Sequence, residues 1–242
     1  MCDVSSLFVQ IIVYYRLGER EDMNKQYDTV IFDLDGTLLD TLGDLTDAVN
    51  YVMEQYGYPI HTLEAVRGFV GNGIRNLMIK ATPQGEDHPK FEEGFTLFKE
   101  YYTAHSRVKT GPYDGIMPLL RQLHEKQIKL AIVSNKNQQA VEELAEFYFE
   151  GMITIAVGDD EIRQRKPAPD AVDEALRQLE SDKEHTLYVG DSDVDAATAK
   201  NSGLDHILVS WGFRPKELLL TLGANGVIDE PQELLEYLGI QS

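Results

Sequence analysis

Apolar residues fall along this chain in two alternating rhythms: short unbroken runs, and longer stripes spaced three or four residues apart. Tyr27 to Leu34 carries Val30, Ile31 and Phe32 in succession and reads as a buried strand. Runs at Lys129–Val133, Met152–Val157, Thr186–Val189, His206–Ser210 and Gly226–Ile228 read the same way. Stripes at helical spacing predict helices between them, over Met117–Lys126, Gln138–Phe149, Pro169–Leu179, Ala196–Ser202 and Pro231–Leu238. Strands separated by helices imply right-handed crossovers and a mainly parallel sheet, an α/β fold.

One stretch breaks this alternation. From residue 43 to residue 107 the pattern is helical only. Ala48, Val49, Val52 and Met53 form one stripe, with Asp44 or Thr46 available to cap it. Leu63–Phe69 gives a short helix, and Val70-Gly71-Asn72-Gly73 interrupts the pattern. Ile74, Leu77, Met78 and Ala81 resume it, and Phe91–Arg107 is helical and aromatic. The expected organisation is therefore a core over residues 23–41 and 110–242, with a helical unit at 43–107 inserted between them. Residues near Leu42-Gly43 and Thr110-Gly111 are the expected hinges.

Composition narrows the class. With 43% hydrophobic and 26% charged residues in 242, the chain has the make-up of a soluble globular protein. A net charge of -19 argues against nucleic acid or an anionic membrane surface as partner. An anionic substrate would have to be drawn locally, against that field. Cys2 is the single cysteine, so no intramolecular disulfide forms, and a reducing, cytoplasmic compartment is the expectation. No apolar run is long enough to span a membrane. Residues 1–22 are expected to be an extension upstream of the domain, which can start at Met23. Nothing in the pattern reveals an oligomeric state.

Candidate chemistry sits where the strands stop. Val30-Ile31-Phe32 runs into Asp33-Leu34-Asp35-Gly36-Thr37, two carboxylates on one side of the chain with a glycine that permits a tight turn. In open α/β sheets ligands bind just outside the carboxyl ends of strands. Ser134-Asn135-Lys136 follows the next strand, where a hydroxyl, an amide and helix N-terminal N–H groups can cradle a phosphate, or simply cap the helix. Lys166 precedes Pro167, which stiffens the backbone ahead of a helix, and its ammonium can neutralise a phosphoryl oxygen. Gly190-Asp191-Ser192-Asp193-Val194-Asp195 gathers three carboxylates behind a buried strand, an arrangement suited to Mg2+ or to a helix N-terminus.

These four motifs, in this order, resemble those of the haloacid dehalogenase (HAD) superfamily from Tyr27 onward. The resemblance implies a Rossmann-like core, and marks residues 43–107 as a helical cap of the C1 type. It implies that Asp33 is the nucleophile that becomes an aspartyl-phosphate, and that Asp35 is the general acid and base. Mg2+ would be held by Asp33, the Asp35 backbone carbonyl and Asp191. Ser134, Asn135 and Lys166 would hold the phosphoryl oxygens, helped by N–H groups near Gly36. Asp195 would orient Lys166 or a water on the metal, and the role of Asp193 stays open, a helix cap among the choices.

Within the superfamily, the carboxylate of Asp35 speaks against dehalogenases, which lack one there. Phe69-Val70-Gly71-Asn72-Gly73-Ile74-Arg75 is similar to the cap loop of phosphoglycolate phosphatases. So are Thr41-Leu42-Gly43-Asp44-Leu45, Arg165-Lys166-Pro167 and Val209-Ser210-Trp211-Gly212-Phe213. On that likeness Asn72, Gly73 and Arg75 become candidate substrate contacts, Arg75 as a bidentate partner for a substrate carboxylate. The expected activity is a Mg2+-dependent phosphatase acting on a small-molecule phosphate ester, phosphoglycolate first. Hexose-phosphate mutase, pyrophosphatase or nucleotidase activity stays open, as does a non-catalytic HAD-like binding protein.

Overall fold

The computed structural model describes residues 26–160 and 162–240. The extension expected over residues 1–22 lies outside them. Strand β1 (Thr29–Phe32) is buried at all four positions, so both of its faces need cover. It lies at the centre of a six-stranded parallel sheet with β4 (Lys129–Asn137), β5 (Ile155–Asp159), β6 (Thr186–Gly190), β7 (Asp205–Val209) and β8 (Gly226–Ile228). The spatial order is β5-β4-β1-β6-β7-β8. The expected Rossmann-like α/β fold is thus the observed one.

Alternation along β1 divides the core. Val30 and Phe32 pack with Ile116, Leu120, Val141 and Leu234 on one face. These come from α5 (Ile116–Glu125), α6 (Gln138–Phe149) and α10 (Glu233–Tyr237). Ile31 points to the other face, onto Val172 and Ala175 of α7 (Asp170–Leu179) and Ala199 of α8 (Asp193–Ser202). Neighbouring strands leave β1 in opposite directions, since β4 flanks it on one side and β6 on the other. That is the topological switch point at which such sheets bind ligands.

The fifth strand begins later than its sequence indicates. Glu150 and Gly151 both take positive φ after α6, and the Met152 N–H returns to the Phe149 carbonyl, so the chain is still turning there. Pairing with β4 starts at Ala131 opposite Ile155. Strand β4 in turn extends past Val133 through an irregularity in register before Asn137. Such irregularities re-aim side chains, and here they fall on Ser134, Asn135 and Lys136.

Four α-helices and a short 3-10 helix (Gly85–Asp87) fill the inserted stretch, the α-helices being α1 (Leu42–Gln55), α2 (Leu63–Arg67), α3 (Gly73–Ala81) and α4 (Phe91–His105). They enclose a core of their own, with Val49, Val52, Met53, Leu77, Met78, Phe91 and Phe98. Its two connections to the sheet run together as β2 (Leu39–Asp40) and β3 (Gly111–Pro112), a short antiparallel pair that the hydrophobic pattern does not reveal. Asp44 is buried and does not cap α1. Its carboxylate accepts the N–H groups of Val108, Lys109 and Thr110 and the Thr110 hydroxyl, at 2.8–3.1 Å. The two connections are pinned to each other by this one side chain. A short helix α9 (Lys216–Leu219) follows β7. No helix among the described residues is long and apolar enough to cross a membrane.

His206 on β7 gives the fold a pH signature. Burial pushes its imidazole below the ordinary value, and Nε2 has no hydrogen-bond partner among the described residues. The unfolded chain then takes up the proton more readily, with a pKa of about 6.5. Stability contributed by neutral His206 is present above that pH and is lost as the pH falls below it. Urea unfolding between pH 7.5 and 5 should therefore show a steeper loss for the parent than for His206→Leu. Parallel curves would contradict this role.

Candidate active site

The turn after β1 is built for close approach. Gly36 has φ +91, and a Cβ there would stand 2.6 Å from Asp191 Oδ2, so only glycine lets the turn meet the end of β6. The Phe213 N–H donates to the same Asp191 oxygen at 2.6 Å, and the Trp211 indole N–H donates to the Thr37 carbonyl at 3.0 Å. The loop after β7 is thereby moored to both acidic turns. Asp33 and Asp191 are buried, at 7% and 1% exposure.

Lys166 reaches this cluster from 133 residues along the chain. Its Nζ donates to Asp33 Oδ1 at 2.7 Å and to Asp195 Oδ1 at 2.8 Å. Asp195 is the hub. Its Oδ1 also accepts the Tyr188 hydroxyl at 3.0 Å. Its Oδ2 accepts the N–H groups of Asp191 and Ser192 and the Ser192 hydroxyl. Ser192 in return caps α8 through the Asp195 N–H, which fixes the carboxylate against the strand end. Asp193 stands at the first turn of that helix with its carboxylate on Arg214.

The electrostatics are unbalanced. Burial, then the charge of Asp195, push the Asp33 carboxyl up to about 7, and Lys166 offsets them only in part. Burial, then Asp195 and Asp33, push Asp191 up as well. Burial also works against the charged form of Asp195, but Lys166, Ser192 and Tyr188 outweigh it and hold that carboxyl below its ordinary range. Lys166 is held charged by Asp195 and Asp33 against its own burial.

Carboxylate oxygens of Asp33, Asp191 and Asp195 lie within 4.8 Å of one another. Three buried carboxylates face one buried ammonium here, an excess of two negative charges. A divalent cation matches that excess, and hard oxygen donors suit Mg2+. Asp195 is filled by its five hydrogen bonds, so Asp33 and Asp191 are the carboxylates free to ligate.

Asp35 is engaged elsewhere. Lys136 Nζ donates to both of its carboxylate oxygens, at 2.8 and 3.1 Å, and to the Tyr102 hydroxyl at 3.0 Å. Burial disfavours the Lys136 charge, but Asp35 and Tyr102 outweigh it and raise the ammonium's pKa. Sequence reasoning assigns no role to Lys136 or Tyr102. For Lys136 the signal was its place directly after Ser134-Asn135. Tyr102 looks like any aromatic on a helical stripe.

Three expected contacts sit differently in the structure. Asn135 lines the cleft, but its side-chain amide is bonded to the Lys166 backbone through both polar atoms, at 2.9 and 3.2 Å. It holds the lysine segment instead of presenting an open amide. Ser134, by contrast, accepts the Lys136 N–H at 3.2 Å, and among the described residues its hydroxyl hydrogen remains available. Arg75 does not line the cleft. Its guanidinium bonds Glu86 at 2.6 Å and Glu92, and stacks over Phe91 and Phe95 on the helical unit's surface. Two local carboxylates and two aromatic faces outcompete the site for it. Asn72 is exposed, while its neighbours Gly71 and Gly73 line the cleft together with Arg214.

The cleft encloses a volume of about 70 Å³. At its floor lie a carboxylate nucleophile candidate, a second carboxylate two residues on, a hydroxyl, an ammonium and room for a cation. That set can move a phosphoryl group between oxygens.

A family model described as haloacid dehalogenase-like hydrolase matches residues 30–209. A phosphoglycolate phosphatase of Cereibacter sphaeroides is 35% identical over 218 residues, which covers 86% of this chain and 98% of that protein. One from Rhodobacter capsulatus is 35% identical over 196 residues, 78% of this chain and 87% of the other. Among solved structures, a candidate phosphoglycolate phosphatase from Lactobacillus delbrueckii subsp. bulgaricus superposes with a TM-score of 0.83 at 36% identity. The match covers 88% of this chain and 98% of that one.

Proposed function

This chain belongs to the haloacid dehalogenase-like hydrolase family, and within it we propose a Mg2+-dependent phosphatase that acts on a small phosphate monoester through an aspartyl-phosphate, with phosphoglycolate as its substrate. The observation that carries the reading is the buried cluster of Asp33, Asp191 and Asp195 around Lys166 at the sheet's switch point. The relatives from Cereibacter sphaeroides and Rhodobacter capsulatus, both phosphoglycolate phosphatases, support the choice of substrate.

Asp33 attacks phosphorus while the ester oxygen leaves with a proton from Asp35; water then attacks the aspartyl-phosphate, gives its proton to Asp35, and frees Asp33 and phosphate. Mg2+ held by Asp33, Asp191 and the Asp35 carbonyl would supply charge neutralisation between the anionic nucleophile and the anionic ester. Ser134 and Lys166 hold phosphoryl oxygens, and N–H groups beside Gly36 assist. Asn135 and Asp195 keep Lys166 aimed. Lys136 keeps Asp35 from swinging away, and Tyr102 of α4 supports it from the helical unit. The helical stretch 43–107 is the cap that covers this chemistry, and excludes water from it.

A panel of esters tests the reading. Phosphate release should be fastest, by kcat/KM, from phosphoglycolate, should require Mg2+ and should stop in chelator. Interconversion of hexose phosphates with little free phosphate would show a mutase instead. No turnover of any ester, a generic aryl phosphate included, would leave a binding protein.

A further inference from the structure

Among the described residues three cations line the cleft: Lys136, Lys166 and Arg214. The two lysines are committed, Lys166 to Asp33 and Asp195 and Lys136 to Asp35 and Tyr102. Arg214 differs. Its Nε donates to Asp193 at 3.0 Å and its Nη2 donates to the Val70 carbonyl at 2.8 Å. Nη1 donates to nothing among the described residues, although the side chain is only 15% exposed. The guanidinium is thus held at two points and offers a third.

Its surroundings fit that offer. Gly71 has φ +119, and a Cβ there would stand 2.6 Å from Nη2, so the cap loop comes as near to the guanidinium as glycine alone allows. Arg214 also directly follows Phe213, whose N–H holds Asp191. It is therefore tied by one peptide unit to the reacting end of the cleft. The rest of the lining away from that end is apolar: Leu45, Val70, Ile74, Leu77, Val194 and Phe213. Those side chains present no donor or acceptor to the hydroxyls of a sugar or to a nucleobase edge. An anionic group close to the ester oxygen would find one guanidinium, fixed by Asp193 and the Val70 carbonyl, beside an apolar wall, where a charge-assisted bond gains strength.

We propose that Arg214 determines specificity by binding a carboxylate on the carbon next to the ester oxygen, so that the substrate class is small 2-phospho-hydroxy acids. This rests on the phosphatase reading and assigns to Arg214 the part that the family likeness offers to Arg75. The competing view is that Arg214 only ties the Gly71 loop to the core through the Val70 carbonyl.

The test compares phosphoglycolate with ethyl phosphate, a monoester of the same chain length without the carboxylate, in the Mg2+-loaded full chain. The parent should prefer phosphoglycolate by at least about tenfold in kcat/KM. Arg214→Met should lose at least about tenfold more on phosphoglycolate than on ethyl phosphate, chiefly in KM, and Arg214→Lys should recover part of the loss. Arg165→Met removes the arginine nearest Gly73, itself paired with Asp159, and should keep the parent's preference. Equal losses on both esters in Arg214→Met would overturn the proposal in favour of a loop tether. So would a parent that turns over ethyl phosphate as well as phosphoglycolate, or a loss of preference confined to Arg165→Met. Absence of turnover with any ester would remove the phosphatase reading and the proposal together.

Discussion

Asp33→Asn is expected to lower phosphate release by about 10⁴-fold or more, while leaving the chelator-treated fold at least as stable as the parent. Catalysis is lost because an amide is a poor nucleophile and offers a cation no negative charge. Shape is nearly kept, and the amide oxygen can still accept from Lys166, which now lies 2.7 Å from Oδ1. Stability is spared because the parent's carboxylate is poorly placed when no cation balances it. Burial and Asp195 push its pKa up to about 7, so the folded state resists its ionisation. A carboxyl raised in this way costs stability as the pH climbs from about 4 towards 7, because the unfolded chain ionises first. The asparagine removes that cost. Mg2+ should accordingly raise the parent's Tm more than the variant's. Two measurements decide it: phosphate release from an aryl phosphate, and scanning calorimetry in EDTA and in Mg2+. Retained turnover would exclude Asp33 as nucleophile. A large drop in Tm in EDTA would mean that Lys166, not the crowding of acids, governs the site's stability.

Asp44→Ala is expected to destabilise the protein by about 2–4 kcal/mol, with Asp44→Asn losing roughly half as much. Asp44 is 2% exposed and anchors three successive N–H groups and a hydroxyl of the returning connection. Alanine leaves the buried Thr110 N–H and hydroxyl without their acceptor, and water reaches the exposed Val108 and Lys109 more readily than Thr110. Because these bonds join the two connections of the helical unit, the loss should appear in global urea unfolding, as a lowered midpoint at nearly constant m. A change below about 1 kcal/mol would show that the β2–β3 pair holds the connections without Asp44.

The contrast between Asp44 and Asp33 shows what a linear pattern carries. Both are aspartates near the first strand. Asp33 announced itself because the strand before it and the Gly36 turn after it are local, and because sheets of this kind put chemistry at such ends. Asp44 fits an ordinary helix-capping pattern, and its real partners are 64 to 66 residues away. Lys136 and Asp35 are 101 residues apart in sequence, and only the adjacency of β4 and β1 brings them together. Arg75 lies away from the cleft for the same reason. Helical spacing shows which residues share a face, but not how the helix is turned, and Glu86 and Glu92 claim Arg75 once α3 and α4 are packed.

Short-range burial and backbone preference suffice for the parallel α/β core, the inserted helices, and the acids, hydroxyl and lysine that end the strands, so these were legible in the linear chain. Which cation meets which acid came only from the packing: Lys166 with Asp33 and Asp195, Lys136 with Asp35, and Arg214 with Asp193 in the lining of the cleft. Charges pair over a few ångströms of space, and strand order and helix rotation set those distances, not spacing along the chain.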